Sequence, residues 1–167
     1  MAGNLELIKK VIGTDVNSLD ITDCFTDKYK VYKVTEKTAD YRTTGTGVID
    51  LRHRFIDSGG SVITASEYDS ARLTMKAEAA FDNDRFTSLG YMYGTVLLGN
   101  YENAGSANYV FNPNDSSSYT FMIGQGVGGY DTASNRFRGA KQIGILKQFN
   151  SITGINFVSS SGSLNFK

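Results

Sequence analysis

Short runs in which apolar and polar residues alternate one by one, each ended by Gly, Asn, Asp or Ser, constrain this chain more than any other feature. In residues 48–56, Ile49, Leu51, His53 and Phe55 fall on one side of an extended backbone and Asp50, Arg52 and Arg54 on the other. That is the two-residue period of a strand with one buried face. Asp57-Ser58-Gly59-Gly60 then supplies residues that tolerate positive φ, so the chain turns and returns through Val62 and Ile63. Ala71, Leu73 and Met75 alternate with Arg72, Thr74 and Lys76. Ala107, Tyr109 and Phe111 share one face, and Tyr119, Phe121 and Ile123 share a face of the next strand, with Asn112-Pro113-Asn114-Asp115 as the turn between them. This pair is expected to be antiparallel, either directly joined or neighbouring across the sandwich. Residues 142–148 and 151–158 read as a second late pair, residues 163–167 as a short edge strand, and residues 29–37 as an early strand.

Composition points the same way. Val, Ile, Thr, Phe and Tyr number 56 against 8 for Glu plus Gln, a ratio that favours strands over exposed helices. Gly, Ser, Thr and Asn total 61 and are scattered, as many short strands joined by many turns require. Eight to ten strands with short connections predict an all-β fold: a two-sheet antiparallel β-sandwich, jelly-roll-like, with an aliphatic and aromatic core. Residues 21–167 form the sandwich and residues 1–20 an N-terminal arm or edge segment. One helical turn or two is expected only near residues 66–70 and at the N-terminus.

The 167 residues suffice for one domain with a real core. Lysine plus arginine and aspartate plus glutamate are both 17, which removes the basic footprint of most nucleic-acid binders and a polybasic membrane patch. No apolar run is long enough to span a bilayer, and the first ten residues lack the pattern of a secretory signal, so synthesis in the cytosol is expected. One cysteine, Cys24, allows no intrachain disulfide and no multi-cysteine zinc site.

Candidate chemistry is sparse. His53, the sole histidine, sits on the face of Leu51 and Phe55 and reads as a half-buried aromatic rather than a catalytic base. Cys24 lies beside Asp23 and reads as an inert thiol. Residues 124–129 contain G-x-G-x-x-G, but polar residues follow where a helix must begin, so a flexible inter-strand loop is expected instead of a dinucleotide site. Asp82-Asn83-Asp84 and Asp20, Asp23, Asp27 are oxygen-rich without EF-hand spacing; turn capping is favoured over a loop calcium ion. No cofactor and no catalytic residue is assigned, since any pair of carboxylates for glycoside hydrolysis would converge only in space. Tyr91, Tyr93, Tyr101 and Tyr130 lie beside glycines in loop-like segments and are candidates for surface contact, with a protein interface favoured over stacking on a glycan. Leu5, Leu7, Ile8, Val11 and Ile12 are candidates for a docking arm, with an edge strand of the same domain as the competing reading.

The phrases Arg54-Phe55-Ile56-Asp57-Ser58-Gly59-Gly60-Ser61, Ser66-Glu67-Tyr68-Asp69-Ser70-Ala71, Tyr109-Val110-Phe111-Asn112-Pro113, Ser118-Tyr119-Thr120-Phe121, Ile143-Gly144-Ile145-Leu146-Lys147 and Ile152-Thr153-Gly154-Ile155 resemble, in order and spacing, a domain of structural proteins of tailed bacteriophages, especially marine and cyanobacterial phages. The resemblance covers most of the chain after about Ile21. It implies a tail-fibre-like β-sandwich on the virion surface, made in the host cytoplasm, with no catalytic residue carried over. The chain has no fibre shaft of repeats or heptads, so the expected role is capsid decoration or tail accessory, in contact with other capsid or tail subunits or with further copies of itself. Recognition of a host glycan is the alternative.

Overall fold

The computed structural model describes residues 5–42, 49–77, 79–98, 104–131, 136–160 and 162–167. Among them are twelve strands: β1 (Gly13–Val16), β2 (Ser18–Ile21), β3 (Val31–Arg42), β4 (Ile49–Asp57), β5 (Tyr68–Lys76), β6 (Asp82–Leu89), β7 (Met92–Leu98), β8 (Ala104–Phe111), β9 (Thr120–Asp131), β10 (Arg136–Leu146), β11 (Ile152–Ser159) and β12 (Ser163–Phe166). An eight-stranded sheet runs β1-β12-β3-β8-β9-β10-β5-β6, and a four-stranded sheet runs β2-β11-β4-β7. The described pairings between named strands are antiparallel. The two layers form the expected β-sandwich, though of unequal size.

Local chemistry explains the turn after β4. Asp57 Oδ1 accepts hydrogen bonds from the backbone N–H groups of Gly59 and Ser61, both at 2.9 Å. Gly60 takes φ +82°, which a side chain would strain. The chain then returns as expected, with Val62 bridging Ile56. Tyr68 fastens this return: its hydroxyl donates to the Ile63 carbonyl at 3.1 Å and accepts from the Phe55 N–H at 3.0 Å.

Several expectations needed correcting. Residues 66–70 carry no helix; Tyr68 already opens β5. β10 and β11 are not a pair but belong to different sheets, because the link between them crosses the sandwich. β12 is no edge strand, since it lies between β1 and β3. The glycine run at 124–129 is not a loop but the middle of β9, paired on both sides. β6 and β7 are strands that alternation does not announce. Of the N-terminal segment, residues 13–16 and 18–21 form edge strands in opposite sheets, while residues 5–12 lie outside any strand.

The largest correction concerns which faces point inward. The small sheet behaves as alternation predicts: Ile49, Leu51, His53 and Phe55 are all buried. In the large sheet the bulky apolar face is turned outward. Along β9, Thr120, Met122, Gly124, Gly126 and Gly128 are buried while Phe121, Ile123 and Val127 are exposed. Glycine placement gives the reason. A methyl group on Gly124 would lie 1.8 Å from Asn108 Oδ1, and one on Gly144 would lie 2.3 Å from Met92 Sδ. Side chains fill the space over the glycine rows, and branched residues there would force the layers apart.

Candidate interaction surface

Cross-strand register assembles the outward face. One row reads Lys33, Tyr109, Ile123, Ile143, Ala71 and Arg85, crossing β3, β8, β9, β10, β5 and β6 in turn. The next row on the same face places Gln125 beside Lys141 and Lys141 beside Leu73. Toward the opposite end, Phe121 pairs with Phe111 and Ile145. Leu73, Tyr109, Phe121, Ile123, Val127, Phe137 and Ile143 are each between 41% and 58% exposed. Part of this face is concave, forming a trough of about 890 Å³ lined by Tyr109, Ile123, Ile143, Leu73, Lys33 and Lys141 among others.

Energetics make this arrangement unusual for a chain stabilised only by itself. Full burial of one such side chain is worth about 1.5–3 kcal/mol, so seven left half in water forgo roughly 5–10 kcal/mol, about the whole net stability of a domain. A solvent-exposed apolar patch of this extent is a candidate interaction surface. Alternation in the sequence identified the faces but not their direction. The available signal was the gathering of Gly124, Gly126 and Gly128 on one face of β9 opposite Phe121, Ile123 and Val127.

Polar residues occupy the interior beneath. Glu36 of β3 receives hydrogen bonds from Asn108 Nδ2 at 3.1 Å and from the Ser106 hydroxyl, and its Oε1 lies 3.2 Å from His53 Nε2 on the opposite sheet. Gln142 Nε2 donates to Asn108 Oδ1 at 3.4 Å and lies 3.5 Å from His53 Nδ1. Burial alone would raise the Glu36 carboxyl, but the His53 charge and the hydrogen bonds from His53, Ser106 and Asn108 outweigh it and hold it below its ordinary 4.5. The His53 and Glu36 side chains are 0% and 3% exposed, so this pair ties the layers together and offers no surface to a substrate.

The tyrosine candidates separate. Tyr91 and Tyr93 meet with ring centroids 5.3 Å apart at the free side of β7. Arg52 lies 4.2 Å over Tyr91, and Phe86 packs on Tyr93 at 4.0 Å. Arg72 reaches the same cluster, 5.1 Å from the Tyr93 ring, while its guanidinium pairs with Asp50 at 2.6 Å and Asp84 at 3.2 Å. Tyr101 lies outside the described residues, and Tyr130 is described only as a backbone position in β9.

Of the arm residues, Leu5, Leu7, Ile8 and Ile12 are exposed and Val11 is half-buried. The arm is fastened to its own chain by Glu6, which pairs with Lys28 at 2.7 Å and accepts from the Tyr29 hydroxyl, and by Lys9, which donates to the Thr22 carbonyl at 2.6 Å.

Cys24 is buried, its thiol pushed up to about 11 mainly by desolvation. Asp82 and Asp84 are engaged by Lys76 and Arg72. Asp20 accepts from Asn156 Nδ2 at 2.6 Å. Among the described residues, no three His, Cys, Asp or Glu side chains gather as a metal site. Compared with known proteins, the chain matches no family model, no curated sequence and no solved structure.

Proposed function

We propose that this chain is a non-catalytic structural protein of a tailed-phage particle, a capsid decoration or tail-surface accessory that acts through protein contacts. The observation that carries the reading is the outward apolar face of the eight-stranded sheet, where Tyr109, Ile123 and Ile143 stand side by side in water. Such a face gains its missing burial only when another protein covers it. The phage setting rests on the order of the sequence phrases that resemble virion surface domains.

The glycan alternative needs aromatic rings with open faces. Tyr91 and Tyr93 already lend faces to Arg52 and Phe86, which weakens that reading at these two positions. Mass spectrometry and imaging of purified phage particles test the proposal. Many copies over the head support decoration, a few at the tail support an accessory role, and particles without the chain would overturn it.

A further inference from the structure

The geometry points to a specific kind of partner for the outward face of the large sheet: a different protein presenting an apolar ridge bordered by carboxylates. This inference rests on the structural-protein reading above and names what that surface takes. Three observations carry it.

The first is the pattern of charge. Lys33 and Arg85 close the two ends of the central row, and Lys141 stands beside it. All three are exposed, and among the described residues none is ion-paired. The carboxylate among the described lining residues, Asp84, is already committed to Arg72 at 3.2 Å, and Asp69 of β5 is committed to Lys147 at 3.0 Å. The patch therefore has a greasy centre and free positive charge at its border. An acidic rim on the partner is its electrostatic complement.

The same pattern argues against a second copy as occupant. Two such faces apposed would bring Lys33, Lys141 and Arg85 of one chain against the same cations of the other, and among the described residues Asp69 and Asp84 are already paired within their own chain. Like charges facing each other across an interface disfavour the pairing.

The second observation is the chemistry of the centre. Ile123, Ile143 and Leu73 at the centre are aliphatic, with Tyr109 beside them, while the other two rings of the face, Phe121 and Phe137, stand toward its ends. Sugars stack on aromatic faces, whereas branched aliphatic side chains pack against other protein side chains. The third is size. Seven half-exposed side chains present roughly 600 Å² of apolar surface, at the upper end of what monomers leave bare. With the cationic rim the footprint reaches about 800 Å², one side of a standard stable interface. The row from Lys33 to Arg85 crosses five strand spacings, about 24 Å along the sheet. The partner ridge should carry carboxylates about that far apart.

Zero-length carbodiimide coupling on intact particles containing the full chain tests this, because it joins an amine only to a carboxylate in direct contact. The expected result is Lys33 and Lys141 joined to Asp or Glu of another particle protein. Lys33→Glu with Lys141→Glu should abolish those links and lower the chain's occupancy on particles about tenfold, while circular dichroism of the free chain stays unchanged. Lys33→Glu alone serves if the double variant fails to fold. Links to a second copy of this chain would overturn the inference in favour of self-association. Absence of links together with unchanged occupancy of the variants would overturn it outright. Either result leaves the structural-protein reading standing, whereas particles lacking the chain would end both.

Discussion

Glu36 and His53 meet across the gap between the two sheets at 3.2 Å, and neither side chain is more than 3% exposed. A polar contact sealed in this way couples the layers, because removing one partner strands the other without water. Glu36→Ala should cost about 3–5 kcal/mol, and Glu36→Gln, which keeps the shape and some hydrogen bonds, about 1–3 kcal/mol. Urea denaturation at neutral pH reads both; a Glu36→Ala variant as stable as the parent would show the contact to be idle.

The same carboxyl sets an acid limit. Its folded value lies below the ordinary 4.5, so above 4.5 it is ionised in both states and its contribution is complete. Below 4.5 the unfolded chain takes up the proton first, and stability falls until the pH has passed the folded value. Asp69 and Asp115 are lowered as well, by hydrogen bonds from Ser88 and Ser117, but they sit at the surface where solvent screens them. Melting temperature should therefore fall steeply with acidification below pH 4.5 in the parent and less steeply in Glu36→Gln. Identical slopes would contradict this assignment.

Gly124 lies under the Asn108 side chain, with only 1.8 Å between its added Cβ and Oδ1. Gly124→Ala should lose about 1–3 kcal/mol by displacing Asn108 and loosening its hold on Glu36. Gly60→Ala meets open space and loses only the backbone strain of φ +82°, about 1–2 kcal/mol. Chemical denaturation of the two variants side by side checks the order.

Cys24 should be silent toward thiol reagents in the folded chain at pH 8. Burial pushes it up to about 11, and its Sγ is directed at the Ile21 carbonyl, 3.4 Å away. Labelling followed by mass spectrometry should show modification only at denaturant concentrations that unfold the protein. Rapid labelling without denaturant would mean that the layer beside β2 opens readily.

Much of the architecture is legible in the sequence because a strand with one wet face writes its period plainly. β4 is the clear case, where Ile49, Leu51, His53 and Phe55 alternate with charges and the turn at Asp57 follows at once. β8 and β9 also pair as expected, Tyr109 opposite Ile123. What alternation cannot supply is direction. In β5, Ala71, Leu73 and Met75 look like a core face, yet Leu73 is exposed and Thr74 buried. The choice depends on His53, Met92 and Asn108, residues far away in the chain that fill the interior above the glycine rows. β6 and β7 escaped notice because their residues, such as Asp82, Asn83 and Asp84, alternate weakly; tertiary pairing makes them strands. The candidate surface is hidden for the same reason: alternation groups Tyr109, Phe121 and Ile123 on shared faces without saying that those faces point outward.

Ile143 and Leu146 lie three positions apart on β10, the first 58% exposed on the outward face and the second fully buried. Comparing Ile143→Asp with Leu146→Asp in the isolated chain tests most directly that the apolar face of the large sheet is a surface. Denaturant melts should place Ile143→Asp within about 1 kcal/mol of the parent and show Leu146→Asp losing more than about 4 kcal/mol or failing to fold. An Ile143→Asp chain that unfolds like its partner variant, or a Leu146→Asp chain that does not, would mean that the sheet is turned the other way.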